Sequence, residues 1–160
     1  MGSLGTSLLE TARRLVPTDR GRPRQTDVRR AISPADYAVF HALAKSNADC
    51  LAYASPGRLE RAWVQAYRSL EHGALTDKAR QNRIRCLFPD EIQRFLNLFL
   101  ELRDLRHLAD YDPTRRFTVA DAEAAYKKAE EAMALLDRAG KQHRRALAVL
   151  CLLLVRKGLA

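Results

Sequence analysis

Cysteine is scarce in this chain: Cys50, Cys86 and Cys151 are odd in number and lack metal-ligand spacing. That argues against a disulfide framework or a metal site, and fits a reducing, cytoplasmic setting with buried or idle thiols. Glycine is equally thin, at seven residues, and nothing resembles a Walker loop, a dinucleotide glycine motif or a nucleophile elbow, so those enzyme classes are set aside. No cofactor is expected. Five Phe, five Tyr and one Trp fall mostly at core spacing and form no stacking platform of the kind single-strand binders display. The ten-residue apolar run at 146–155 is about half the length a bilayer crossing needs, so no membrane partner is expected. The opening MGSLGTSLLE includes Glu10 and does not read as a secretory signal. Strand-like alternation of useful length is also missing.

Acidic residues are outnumbered, 19 against 28 Lys and Arg, for a net charge of +9. That balance favours an anionic partner such as RNA or a nucleotide. Much of the excess lies in RRLVPTDRGRPRQTDVRR, and such a run is often only a solvated arm. At 160 residues the chain suits one domain with a real core.

Apolar spacings of three and four residues recur throughout, which predicts an all-α fold. A short helix from Leu4 to Val16 stops at Pro17, and an Arg/Gly/Pro-rich linker follows to Arg24. Thr26 is placed to cap a second helix with Val28, Ile32, Val39 and Leu43 on one side. Within it, Ser33 and Pro34 predict a restart or a kink. Ser55 and Pro56 signal a third helix, with Leu59, Ala62, Trp63, Ala66, Tyr67 and Leu70 on its apolar face and Gly73 closing it. After a polar connection holding Arg80, Arg83 and Arg85, Pro89 opens a fourth helix, apolar over most of its circumference and expected to be the central one. Thr118 with Asp121 approximates a capping box for a fifth helix carrying Val119, Ala122, Tyr126, Ala129, Met133 and Leu136. Gly140 separates this from an apolar last helix, read as covering the core or a partner. The domain organisation expected is thus a short helix and basic arm over 1–25, a helical domain over 26–140, and a C-terminal helix over 141–160.

Candidate chemistry concentrates near the end of the fourth helix, where Arg103, Arg106, His107 and Asp110 recur at i, i+3, i+4 and i+7 and project from one stripe. Two guanidinium groups, an imidazole and a carboxylate on one face are suited to holding a phosphodiester and moving a proton. The structural alternative is an i, i+4 ion pair between Arg106 and Asp110, worth a few tenths of a kcal/mol when exposed. In YRSLEHG, Arg68 and His72 repeat the one-turn spacing, which fits an interhelical hydrogen-bonding role or, as the functional alternative, a second RNA or phosphate contact. His41 reads as a core histidine and His143 as part of a solvated basic turn.

The segments VRRAISPADYAVFHALA, AWVQAYRSLEHG, FPDEIQRFLNLFLELRDLRHLADYDP and TVADAEAAYKKAEEAM, in that order, resemble bacterial proteins of the HEPN (higher eukaryotes and prokaryotes nucleotide-binding) group. The likeness covers roughly residues 25–140, and its most specific element is the Arg-x-x-Ala-Asp-Tyr box from Arg106 to Tyr111. It implies a bundle of four to five helices, frequently a homodimer, with a polar groove near the arginine box. Many such relatives are metal-independent endoribonucleases of toxin and defence systems, and some pair with a nucleotidyltransferase-like antitoxin. In those nucleases four to six residues separate the arginine from the histidine. Here only three separate Arg103 from His107, which rotates the histidine by about 100° around the helix.

Two functions therefore stand open. In one, a metal-independent endoribonuclease uses Arg103 and Arg106 on the phosphate oxygens, His107 as general base or acid, Asp110 to orient a cation and Tyr111 as a hydrogen-bond donor. In the other, a non-catalytic helical module dimerises or binds a partner chain.

Overall fold

The computed structural model describes residues 2–18, 23–53 and 59–153, and every regular element among them is helical. The helices are α1 (Leu4–Leu15), α2 (Gln25–Ala52), α3 (Glu60–Arg68), α4 (His72–Arg80), α5 (Asn82–Arg85), α6 (Asp90–Tyr111), α7 (Val119–Arg138) and α8 (Lys141–Leu152). The all-α class holds, with eight helical segments among the described residues.

Helix α1 starts where Ser3 Oγ accepts a hydrogen bond from the Thr6 amide and ends with Val16 as its C-cap, next to Pro17. Of the two alternatives expected at Pro34, the restart is excluded, because α2 runs for 28 residues as one longer helix with the proline inside it. A mid-helix proline forfeits a backbone hydrogen bond at a cost of about 3 kcal/mol or more. Burial on either side offsets this, for Ala31, Ile32, Ala35, Ala38 and Val39 are all fully buried. Thr26 does not cap α2 either, since the helix begins at Gln25 behind Arg24, with no side-chain cap.

Gln25 instead ties α2 to the α6–α7 connection. Its Nε2 donates to the Phe117 carbonyl at 2.7 Å, and the Phe117 amide donates to its Oε1 at 2.9 Å. Losing both bonds leaves a half-buried amide and carbonyl without partners, so Gln25→Ala is expected to cost about 1 kcal/mol in a urea melt.

The central helix is α2 rather than α6, with twelve buried residues against seven. Helices α1, α3, α6, α7 and α8 all pack on it. In α6, Ile92, Phe95, Leu96, Leu98, Phe99 and Leu102 face this core, while the polar C-terminal half leaves only Ala109 buried. Pro89 opens α6 as expected, occupying the N-cap.

The expected third helix is divided in two. Its start signal, Ser55 and Pro56, lies outside the described residues. Helix α3 ends at Arg68, and α4 begins at His72 with Gly73 inside its first turn rather than at a terminus. Part of the expected polar connection is therefore helical, because Leu70, Leu75 and Ala79 are buried and bring this segment onto the core.

Helix α7 carries the expected capping box. The Asp121 amide donates to Thr118 Oγ1 at 3.2 Å, and the Thr118 amide donates to Asp121 Oδ2 at 2.7 Å. Leu147, Ala148 and Cys151 of α8 are buried, with α8 packed on α2 and α4. The apolar run thus covers this chain's own core as far as Leu152, and burial pushes the Cys151 thiol up to about 12. Among the described residues no helix is long and apolar enough to cross a membrane.

Candidate functional site

Asp36 lies on the core stripe of α2, between Ile32 and Val39, and is fully buried. A carboxylate without water needs compensating partners, and the tail of α6 brings one. Arg106 Nε stands 2.8 Å from Asp36 Oδ2, an ion pair in which the N–H is not aligned for a hydrogen bond. His72, the first residue of α4, places Nε2 at 3.2 Å from the same oxygen. Asp36 Oδ1 has no hydrogen-bond partner among the described residues. One carboxylate oxygen therefore joins three helices.

The network continues outward. Arg106 reaches Asp110 Oδ2 at 3.3 Å, and Ser33 Oγ donates to Asp110 Oδ1 at 2.7 Å. The guanidinium also lies 5.2 Å from the centre of the Tyr37 ring, a cation–π distance. Burial opposes the charge on Arg106, but Asp36, Tyr37 and Asp110 outweigh it and hold its pKa above the ordinary value. His72 stacks on Phe40 with ring centres 3.8 Å apart.

The predicted stripe therefore separates. Arg106 turns inward, with its side chain 15% exposed. Arg103 pairs with its chain neighbour Asp104 at 2.8 Å, and Arg80 reaches the same carboxylate at 3.3 Å. His107 is exposed, and its ring contact is with exposed Tyr111, the centres 5.0 Å apart. Among the described residues Arg103 and His107 do not share a partner. Arg68 and His72 separate as well, since the helix breaks between them and Arg68 ends exposed on α3. Sequence reasoning missed Asp36, Ser33 and Tyr37. The signal for Asp36 was its position on the apolar stripe, where an acid demands a counter-charge.

A second feature lies at the end of the bundle where α2 begins. Arg29 acts as a C-terminal cap for α6, donating to the Ala109 and Asp112 carbonyls at 2.8 Å each and to the Arg115 carbonyl. Both Arg29 and Arg115 lie near the Phe117 ring, at 5.2 and 5.7 Å. Asp112 is occupied locally, accepting from the Thr114 hydroxyl and amide and the Arg115 amide. These bonds, with the hydroxyl foremost, lower its pKa. Around this clamp Arg24, Arg30, Arg115 and Arg116 are exposed and have no acidic partner among the described residues. Beside them opens a cleft of about 520 Å³ lined by Leu15, Arg29, Arg30, Ser33, Tyr37 and Asp110, among others. No group of three His, Cys, Asp or Glu residues suited to a metal ion occurs among the described residues.

His41, expected in the core, is half-buried, with Nδ1 2.8 Å from Tyr67 Oη. Burial, and secondarily the charge of His72, lowers its pKa from 6.5. The unfolded chain therefore binds this proton more readily, so the contribution to stability is complete above about pH 6.5 and declines as pH falls from there through the folded value. His41→Gln is expected to lose less Tm between pH 7 and pH 5 than the parent. Equal losses would show that His41 does not carry this dependence.

Comparison with protein families, curated proteins and solved structures finds no match to this chain.

Proposed function

We propose that this chain is a HEPN-like helical protein that binds RNA or a nucleotide, and that its phosphate contacts come from the arginine-rich end rather than from the stripe on α6. The observation that carries this reading is the set of four exposed guanidinium groups, Arg24, Arg30, Arg115 and Arg116, without acidic partners among the described residues. Arg24 and Arg116 each sit one residue from the Gln25–Phe117 clamp, and Arg29 of α2 bonds the Arg115 carbonyl. The backbone beneath these cations is thus fixed, so less order must be gained on binding. Arg106, by contrast, is already neutralised by Asp36 and Asp110. Its role in this reading is to hold the groove wall through Tyr37 and Asp110.

Salt dependence of RNA binding tests this directly. Each phosphate contact to single-stranded RNA contributes a slope of about 0.7 in log K against log salt. Replacing Arg30, Arg115 and Arg116 together by glutamine is expected to flatten the slope by about 2 and weaken binding at least tenfold. An unchanged slope would sink the proposal.

The exposure of His107 supports a second reading, a metal-independent endoribonuclease completed by a homodimer. There, His107 moves the proton between the 2′-hydroxyl and the leaving group while Arg103, released from Asp104, meets the phosphate. A nucleotidyltransferase-like antitoxin is the partner that the resemblance adds to this reading. RNA incubated with the protein in excess chelator should then be cut, and His107→Ala should abolish cutting. Intact RNA with the parent protein would reject it.

A further inference from the structure

A separate cleft of about 380 Å³ opens between the start of α1, the second half of α2 and α3. It is lined by Gly2, Ser3, Leu4, His41, Lys45, Trp63 and Tyr67. Tyr67 Oη and His41 Nδ1 are in hydrogen-bond contact while their ring planes differ by only 19°. The two rings are thus nearly parallel, with centres 5.8 Å apart, and are joined through that contact. Trp63 stacks against Tyr67, its ring centre 5.1 Å away and its plane tilted by 27°, and so backs the Tyr67 ring. The indole is held in place because Nε1 donates to Asp49 Oδ1 at 2.8 Å. Asp49 also pairs with Lys45, which anchors the ammonium at the rim of the cleft.

We propose that this cleft binds a small planar aromatic acid, whose ring lies against the His41–Tyr67 pair and whose carboxylate or phosphate meets Lys45. Flat aromatic surfaces attract planar rings by stacking, a contact worth about 1–3 kcal/mol per nucleobase. One ammonium N–H group engages Asp49, and the other two donors can serve an anion. The positive end of the α1 dipole, at Ser3 and Leu4, adds to the same field. The volume is near the lower limit for ligand clefts, which suits a single ring system with one acidic group. His41 adds selectivity. Burial, and secondarily His72, lowers its pKa and so favours the neutral ring, and with Nδ1 engaged by Tyr67, Nε2 is the other ring nitrogen that a polar edge of the ligand would use.

This site is distinct from the arginine-rich end and does not depend on RNA binding. Aromatic carboxylates and nucleoside monophosphates share the chemistry it recognises, and calorimetric titration of the full chain with 4-hydroxybenzoate and, separately, uridine monophosphate distinguishes them. Saturable one-to-one binding of either supports the proposal and identifies the preferred acid group. Trp63 is the chain's single tryptophan, so a matching change in its fluorescence locates the ligand. Lys45→Met and Tyr67→Leu should each weaken binding about tenfold, whereas Tyr67→Phe keeps the ring and should stay within about threefold. Circular dichroism and a thermal melt establish that each variant is folded. No saturable heat from either compound with the parent protein up to about 10 mM would overturn the proposal. So would binding that the folded Lys45→Met and Tyr67→Leu variants retain in full.

Discussion

Replacing Asp36 with alanine is expected to destabilise the fold by about 3–5 kcal/mol, the range for removing one partner from a buried ion pair. For a chain of this length that corresponds to a fall in Tm on the order of 10 °C. The argument rests on burial. Asp36 is fully buried and the Arg106 side chain is 15% exposed, so the variant leaves a guanidinium in a low-dielectric site with only Asp110 to answer it. His72 loses its acceptor in the same step. Arg106→Ala should cost a comparable amount, since it strands the carboxylate instead.

The double replacement Asp36→Leu with Arg106→Met should recover much of that loss, because a packed apolar pair needs no counter-charge. A double-mutant cycle built from the parent, Asp36→Leu, Arg106→Met and the double variant separates this from simple cavity formation, since residues in one ionic network show strong non-additivity. Urea melts of these four proteins and of Asp36→Ala provide the measurement. A loss below about 1 kcal/mol for Asp36→Ala would place the pair in the range of exposed salt bridges and refute the role assigned to burial.

The same pair decides how the α6 tail can act. An arginine that neutralises a buried acid must break that contact before it can meet a phosphate, at several kcal/mol, whereas Arg30 or Arg116 loses no ion pair. Substitutions at Arg106 should therefore appear in stability and, under the function proposed above, those at Arg30 and Arg116 in RNA affinity. That division separates the two ends of the bundle experimentally.

Local signals in the sequence were sufficient where they acted alone. Thr118 and Asp121 cap α7 as their spacing implied, and Pro17 and Pro89 lie at helix boundaries as expected. They fell short where tertiary packing decided the outcome. Ser33 and Pro34 allowed a restart as well as a bend in one longer helix, but the burial of Ala31, Ile32, Ala35 and Val39 carries α2 through the proline without a restart. Continuous periodicity through Leu70 signalled one helix up to Gly73, yet the turn before His72 delivers that histidine to Asp36. For the candidate site, helical spacing correctly placed Arg106 and Asp110 side by side. What spacing could not supply was the element opposite. Asp36 lies 70 residues away in the chain, and its position on an apolar stripe announced a partner without naming it. The basic run ending at Arg30 was visible as composition, but Arg115 and Arg116 were not part of it, and contacts such as Gln25–Phe117 and Arg29–Arg115 bring them beside Arg24 and Arg30.

Gly5→Ala provides the sharpest test of how α1 docks, because two effects of opposite sign compete there. Gly5 is buried inside a helix, where alanine is intrinsically better by about 1 kcal/mol. A Cβ at this position, however, would lie 2.9 Å from the Ala38 carbonyl oxygen and 3.1 Å from the Ala42 amide nitrogen. Both atoms belong to the backbone of α2, the most heavily packed helix, so neither can rotate aside as a side chain would. Overpacking typically costs roughly 1–3 kcal/mol, and a rigid opposing backbone places this site at the upper end. The expected net loss is about 2 kcal/mol, concentrated in α1, whose amides should exchange with deuterium faster while those of α7 remain protected. If Gly5→Ala instead stabilises the protein, helix propensity has won and α1 does not sit backbone to backbone on α2. Because Gly2, Ser3 and Leu4 form a wall of the aromatic cleft, the same displacement should also widen that cleft and weaken whatever it holds.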